Sequence, residues 1–115
     1  MRASLLLLVL GAACIESGAD RIEDMECPPE SDLTYENFGG PYLGAYCQRC
    51  HASDSDDRNG APSSFHFDTV ADVREHAERI FARAAASNTT MPPGPDDPPE
   101  EERMLLAEWL ACGAP

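Results

Sequence analysis

The apolar residues of this chain gather into separate stretches with different periods. Leu5 to Leu10 is an unbroken apolar run. Leu33, Tyr35, Phe38, Tyr42, Leu43 and Tyr46 form a dense aromatic and aliphatic set. Val70, Val73, Ala77, Ile80, Phe81 and Ala84 recur at spacings of three and four, as does the shorter series Leu105, Leu106, Trp109 and Leu110. The last two series each predict an amphipathic helix with one stripe turned to a core. Asp68 or Thr69 is placed to cap the middle helix, and Asp97 with Pro98 to open the last one. Glu100, Glu101 and Glu102 favour the positive end of the last helix's dipole, and Gly113 stops it. Pro41 suits a first helical turn, where its missing N–H costs no hydrogen bond, so a short helix is expected from about Pro41 to Cys50. Between these elements, Ala52 to Pro62 is rich in Asp, Ser, Asn and Gly, and Ser87 to Pro99 holds half of the prolines; both read as loops. No alternating strand pattern or internal repeat is present, and the expected fold class is all-α.

Composition narrows the setting. The chain has 115 residues, enough for one domain, and a domain this small usually needs a staple or a cofactor to complete its core. Acidic residues number 21 against 8 basic ones, giving a net charge of −13 that repels nucleic acid and anionic lipid. Residues 1–13 combine Arg2, the short apolar run and the small residues Gly11, Ala12 and Ala13, the layout of a secretory signal too short to span a bilayer. The Cys directly after Gly-Ala-Ala resembles a bacterial lipoprotein signal, which implies lipidation of Cys14, although Leu10 stands one place further from the Cys than the usual leucine. Ordinary cleavage after Ala13 or Ala19 is the alternative. Residues 14–32, acidic and poor in large apolar side chains, are expected to form a flexible tether without regular structure, leaving 33–115 as the domain.

The chemistry is concentrated in Cys47-Gln48-Arg49-Cys50-His51, the C-x-x-C-H pattern of covalent haem attachment. On a helix, Cys47 and Cys50 share a face, so both thiols can add to the vinyl groups along one porphyrin edge, and His51 can reach the iron from the proximal side. Three other readings compete. Zinc would require further ligands and usually a second cysteine pair. A thioredoxin-type pair would require a βαβ context. A structural Cys47–Cys50 disulfide would leave His51 unexplained. For the sixth position, Met91 lies in an irregular loop stiffened by Pro92 and Pro93; His66, between two phenylalanines, is the bis-His rival. His76 falls on the polar side of the middle helix and reads as solvated. Met25 lies in the lead-in, and Met104 reads as a packing residue.

From about Leu33 to Pro115 the sequence resembles the class I c-type cytochromes, in particular small exported bacterial ones. The resemblance rests on the attachment motif, the loop M-P-P and the closing helix E-R-M-L-L-A-E-W-L. It implies a class I cytochrome c fold, with three main helices wrapped around one covalent haem c. It further implies that Gly39 and Leu43 pack the first helix on the last with Trp109 as aromatic partner, that the region of Pro62 receives the His51 N–H, and that a cleft opens between Cys50, His51 and Met91. Arg58 is a candidate for a haem propionate. First and last helices meet in this fold, so Cys27 and Cys112, left after lipid and haem have claimed the other cysteines, can form a disulfide; two unrelated thiols are the alternative. The function implied is a monomeric, periplasmic, single-haem electron carrier exchanging electrons with redox partner proteins. The absence of a Lys ring points to a partner with a basic or apolar docking face. A haem-based ligand sensor or peroxidase-like protein, with an open or bis-His sixth position, is the alternative; no base and nucleophile constellation suggests an enzyme.

Overall fold

The computed structural model describes residues 20–115; the leader 1–13, the lipidation candidate Cys14 and both cleavage sites lie outside the described residues. Every regular element among the described residues is helical, and none is long and apolar enough to cross a membrane.

The first helical segment starts earlier than Pro41. Thr34 accepts from the Asn37 N–H while the Asn37 side chain accepts from the Thr34 N–H, a reciprocal cap that opens a π-wound turn over Tyr35–Gly39. Gly40 donates to the Tyr35 carbonyl, and the chain continues as α1, Gly40–Tyr46, with Pro41 in its first turn. Since Pro41 has no N–H to give, the wider turn before it loses no donor there. Cys47 interrupts the ladder, and α2 covers Gln48–His51. The single helix expected over 41–50 is thus two helices with the first cysteine at the break.

The middle helix is also divided, into α3, Val70–Glu75, and α4, Ala77–Ala84. Thr69 rather than Asp68 caps α3, in a box with Asp72, while Asp68 accepts from the Ser53 N–H at 2.9 Å. The break falls at His76, whose ring is held by the Ser64 carbonyl at 3.0 Å. The apolar stripe survives the break: Val73, Ile80, Phe81 and Ala84 are all buried.

The last helix, α5, runs Glu100–Ala111 with Pro99 at its N-cap position and no side-chain cap, so Asp97 does not open it. Its buried positions are Leu106, Ala107, Trp109 and Leu110; Leu105, expected in the core, is 39 % exposed, as is Met104, expected to pack. At about 100° per residue, Leu105 lies well off the centre of the face that Leu106 and Leu110 define. Gly113 takes φ 86° and the helix ends in paired bonds, Ala114 N–H to Trp109 O at 2.9 Å and Gly113 N–H to Leu110 O at 3.0 Å.

The core joins these parts. Gly39 sits so close to the Trp109 indole that a Cβ there would overlap the ring, and Leu43 is buried beside it. The Pro115 carbonyl accepts from the Tyr35 N–H at 2.7 Å and from Trp109 Nε1 at 3.3 Å, while Arg74 holds the Ala114 carbonyl. Residues 20–32, expected as part of a tether, instead lie on this core: Ile22–Asp24 forms a 3-10 turn, Ile22 and Met25 pack against the buried cluster, and Cys27 is disulfide-bonded to Cys112 with their Cα atoms 4.9 Å apart. Two apolar side chains and one covalent bond dock a segment whose overall polarity argued for independence.

Candidate functional site

The C-x-x-C-H segment occupies one helical turn. Cys47 closes α1 by donating to the Leu43 carbonyl at 2.8 Å; its own carbonyl accepts from Cys50 at 3.2 Å and His51 at 2.9 Å. Cys47 and Cys50 are free thiols, both partly buried, while Cys27 and Cys112 form the disulfide. Burial, with Cys50 adding to it, pushes the Cys47 thiol up to about 12, so it stays protonated at neutral pH. Among the described residues, no group of three His, Cys, Asp or Glu side chains converges as a metal site, so the further ligands that a zinc site needs do not gather at this turn. Tyr42 lies next to Cys47; its hydroxyl is buried without a hydrogen-bond partner, and burial raises its pKa.

His51 is held from outside its own helix. Its Nδ1 lies 2.7 Å from the Phe65 carbonyl, and since a carbonyl only accepts, Nδ1 carries a proton; in the neutral ring this leaves the free lone pair on Nε2. The imidazole stacks on Phe67, with centroids 4.5 Å apart and planes 21° apart. The same loop returns a bond, Phe67 N–H to the His51 carbonyl at 2.9 Å, and Gln48 Nε2 donates to the Phe67 carbonyl at 2.5 Å.

Arg58 completes this frame. Nη1 donates to the Ala52 carbonyl at 2.6 Å, Nε to Ala61 at 3.2 Å, and Nη2 to Pro62 at 2.9 Å and Phe65 at 3.3 Å. The guanidinium expected to reach a propionate is therefore engaged by the backbone of its own loop. Pro62 opens the turn that faces His51, although its own carbonyl is not the acceptor. The carbonyl that accepts from His51 belongs to Phe65, three residues on, while the Pro62 carbonyl accepts from the Phe65 N–H at 2.9 Å and from Arg58.

The other candidate ligands each have a different setting. Met91 is 39 % exposed, and its N–H donates to the Arg83 carbonyl at 2.7 Å, pinning that point of the loop to the end of α4. His66 Nδ1 faces Asp72 at 3.5 Å and Asp68 at 3.9 Å. His76, read as solvated, is half-buried, with its ring 4.7 Å from that of Phe65. One surface hollow is lined by Phe65, His76 and Arg79, and a second by Ile22, Arg74 and Leu110. Neither is lined by Cys50, His51 or Met91, between which a cleft was expected, and Phe67 covers one face of the His51 ring.

Phe65, Phe67 and Gln48 are the site residues that sequence reasoning missed. Phe65 and Phe67 flank His66 as an aromatic pair, the one signal available. Their backbone groups do most of the holding, and a carbonyl acceptor leaves no mark on side-chain pattern. The arrangement presents two unbridged thiols and one imidazole nitrogen on a single turn, a set suited to two covalent attachments and one ligand bond. No family model, curated protein or solved structure matches this chain.

Proposed function

We propose that this chain is an exported, single-haem c-type electron carrier of the class I cytochrome c kind, with haem attached to Cys47 and Cys50 and ligated by His51 and Met91. The observation that carries the reading is the state of the C-x-x-C-H turn. Both thiols are unbridged, and His51 has Nδ1–H engaged by the Phe65 carbonyl with Nε2 left to donate. The close packing of Gly39 on Trp109, between the first helical segment and the last, agrees with the arrangement the family resemblance implies. A bound haem would supply a one-electron Fe(III)/Fe(II) couple.

The chain's own residues supply the rest. The two thioethers formed by Cys47 and Cys50 would hold the group to one turn. The Phe65 carbonyl keeps the His51 proton on Nδ1 and raises the basicity of Nε2, and stacking on Phe67 fixes the ring plane. Arg103 ties the segment before α5 through the Ala86 and Pro98 carbonyls, so that the loop bearing Met91 is anchored on both sides. Periplasmic export, lipid anchoring through Cys14 and a redox partner with a basic docking face complete the proposal; the last follows from a net charge of −13.

Expression with a haem-attachment system tests it directly. The expected result is a pyridine haemochrome spectrum of haem bound through two thioethers, lost in the double variant Cys47→Ser and Cys50→Ser; an apoprotein under those conditions would refute it. The exposure of Met91 favours one second reading, a haem protein whose sixth position is open to ligands. Carbon monoxide binding to the ferrous protein separates the two: a His51/Met91 carrier resists it, and tight binding selects the sensor-like alternative.

A further inference from the structure

We propose that Arg58 is the positioning residue of His51: its guanidinium clamps the turn from Pro62 to Phe65 so that the Phe65 carbonyl stands where the His51 Nδ1–H can donate to it. The redox consequence rests on the haem reading above; the structural part rests on the bond pattern alone. Four backbone carbonyls converge on this one side chain, from Ala52, Ala61, Pro62 and Phe65. Ala52 directly follows His51 and caps α2, so Arg58 bridges the end of the helix that carries the imidazole and the turn that receives it. The turn closes on itself by a single backbone bond, Phe65 N–H to Pro62 O, and Nη2 reaches both of its carbonyls. The planar fork of arginine can serve carbonyls in several directions at once, whereas an ammonium is a single point with three donors.

Two effects of Arg58 on a haem at His51 have opposite signs, which makes the role testable. Its positive charge disfavours the ferric state. Its hold on Phe65 sustains the Nδ1–H bond, which makes Nε2 a stronger donor and favours the ferric state. Arg58→Lys keeps the charge and removes most of the clamp, so it isolates the second effect.

The experiment compares parent and Arg58→Lys proteins labelled with nitrogen-15 in histidine, reading the two His51 nitrogen shifts, and measures the reduction potential of each holoprotein. In the parent, His51 is expected as the pure Nδ1–H tautomer. In the lysine variant, the haem-free protein is expected to show mixed tautomers. The holoprotein is expected to show a rise in potential equivalent to about tenfold in the ferrous-to-ferric ratio, about 59 mV for one electron, the lower end of what losing an outer-shell partner does. Parental nitrogen shifts and parental potential in Arg58→Lys would overturn the proposal, as would a fall in potential. If the variant does not fold, slow hydrogen exchange of Arg58 Nε–H in the parent supports the clamp and exchange at the rate of a free guanidinium overturns it. A chain that carries no haem refutes the proposed function, while the nitrogen shifts still decide the role of Arg58.

Discussion

Asp72 does two jobs at the start of α3. Its carboxylate accepts from the Thr69 N–H at 2.8 Å and from the Thr69 hydroxyl at 2.9 Å, and its own N–H donates to that hydroxyl. The Thr69 backbone bond, then the hydroxyl bond, holds its pKa below the ordinary carboxylate value; nearby His66 adds to this and Asp68 opposes it. A carboxyl whose folded pKa is depressed contributes stability that is present above its unfolded pKa and lost as pH falls through the folded one. Acidification below the usual carboxylate range is therefore expected to loosen the first turn of α3, read as a lower protection of the Thr69 amide against hydrogen exchange, relative to a free amide at the same pH. In Asp72→Ala that amide is expected to exchange fast at neutral pH already, with no further acid step. An acid step unchanged by the substitution would assign it elsewhere.

At the scale of elements, the contact between the first helical segment and α5 sets how closely the chain can pack. Gly39 has a helical backbone, φ −57°, so nothing in its conformation demands glycine; the demand comes from the Trp109 ring. Helix propensity alone would make Gly39→Ala stabilising by up to about 1 kcal/mol. Overpacking against a fully buried indole costs about 1 to 3 kcal/mol, so the net change is expected to be destabilising. Gly44, in the adjoining α1 with open space around its Cβ position, is the control, and alanine there is expected to stabilise. Denaturant midpoints for the two variants should move in opposite directions. Movement in the same direction would mean that the two elements are not in contact at Gly39.

For the molecule as a whole, the disulfide is the longest closure among the described residues. Cys27 and Cys112 are 85 residues apart in sequence, and their bond joins the segment before the first helix to the end of the last. In the chain-entropy model, a loop of that length is worth about 4 to 5 kcal/mol, comparable with the net stability of a marginal small domain. The Cys27→Ser and Cys112→Ser double variant is expected to lose stability of that order in urea unfolding, with Ile22 and Met25 becoming accessible. A loss under about 1 kcal/mol would show that the ends are held chiefly by the noncovalent bonds to Pro115 and Ala114.

What the sequence determined by itself was local. The all-helical class, the buried stripe through Val73, Ile80 and Phe81, the stop at Gly113 and the grouping of Cys47, Cys50 and His51 all follow from spacing along one stretch of chain. Periodicity and turn chemistry are short-range properties, so side-chain pattern alone reveals them. The cap of Thr34 with Asn37, three residues apart, is local too and starts the first segment upstream of Pro41. Tertiary structure decided where the middle helix breaks. The bond from His76 to Ser64, twelve residues away, marks the division of the middle helix. It also decided which face of α5 is inside, turning Leu105 outward, and it drew Ile22 and Met25 into contact with the core. Above all it decided what surrounds His51. The Phe65 carbonyl and the Phe67 ring reach it from 14 and 16 residues further along the chain, and the Arg58 fork, 7 residues beyond His51, holds that carbonyl. Every residue carries the same carbonyl, so only the path of the folded chain selects which one a histidine meets.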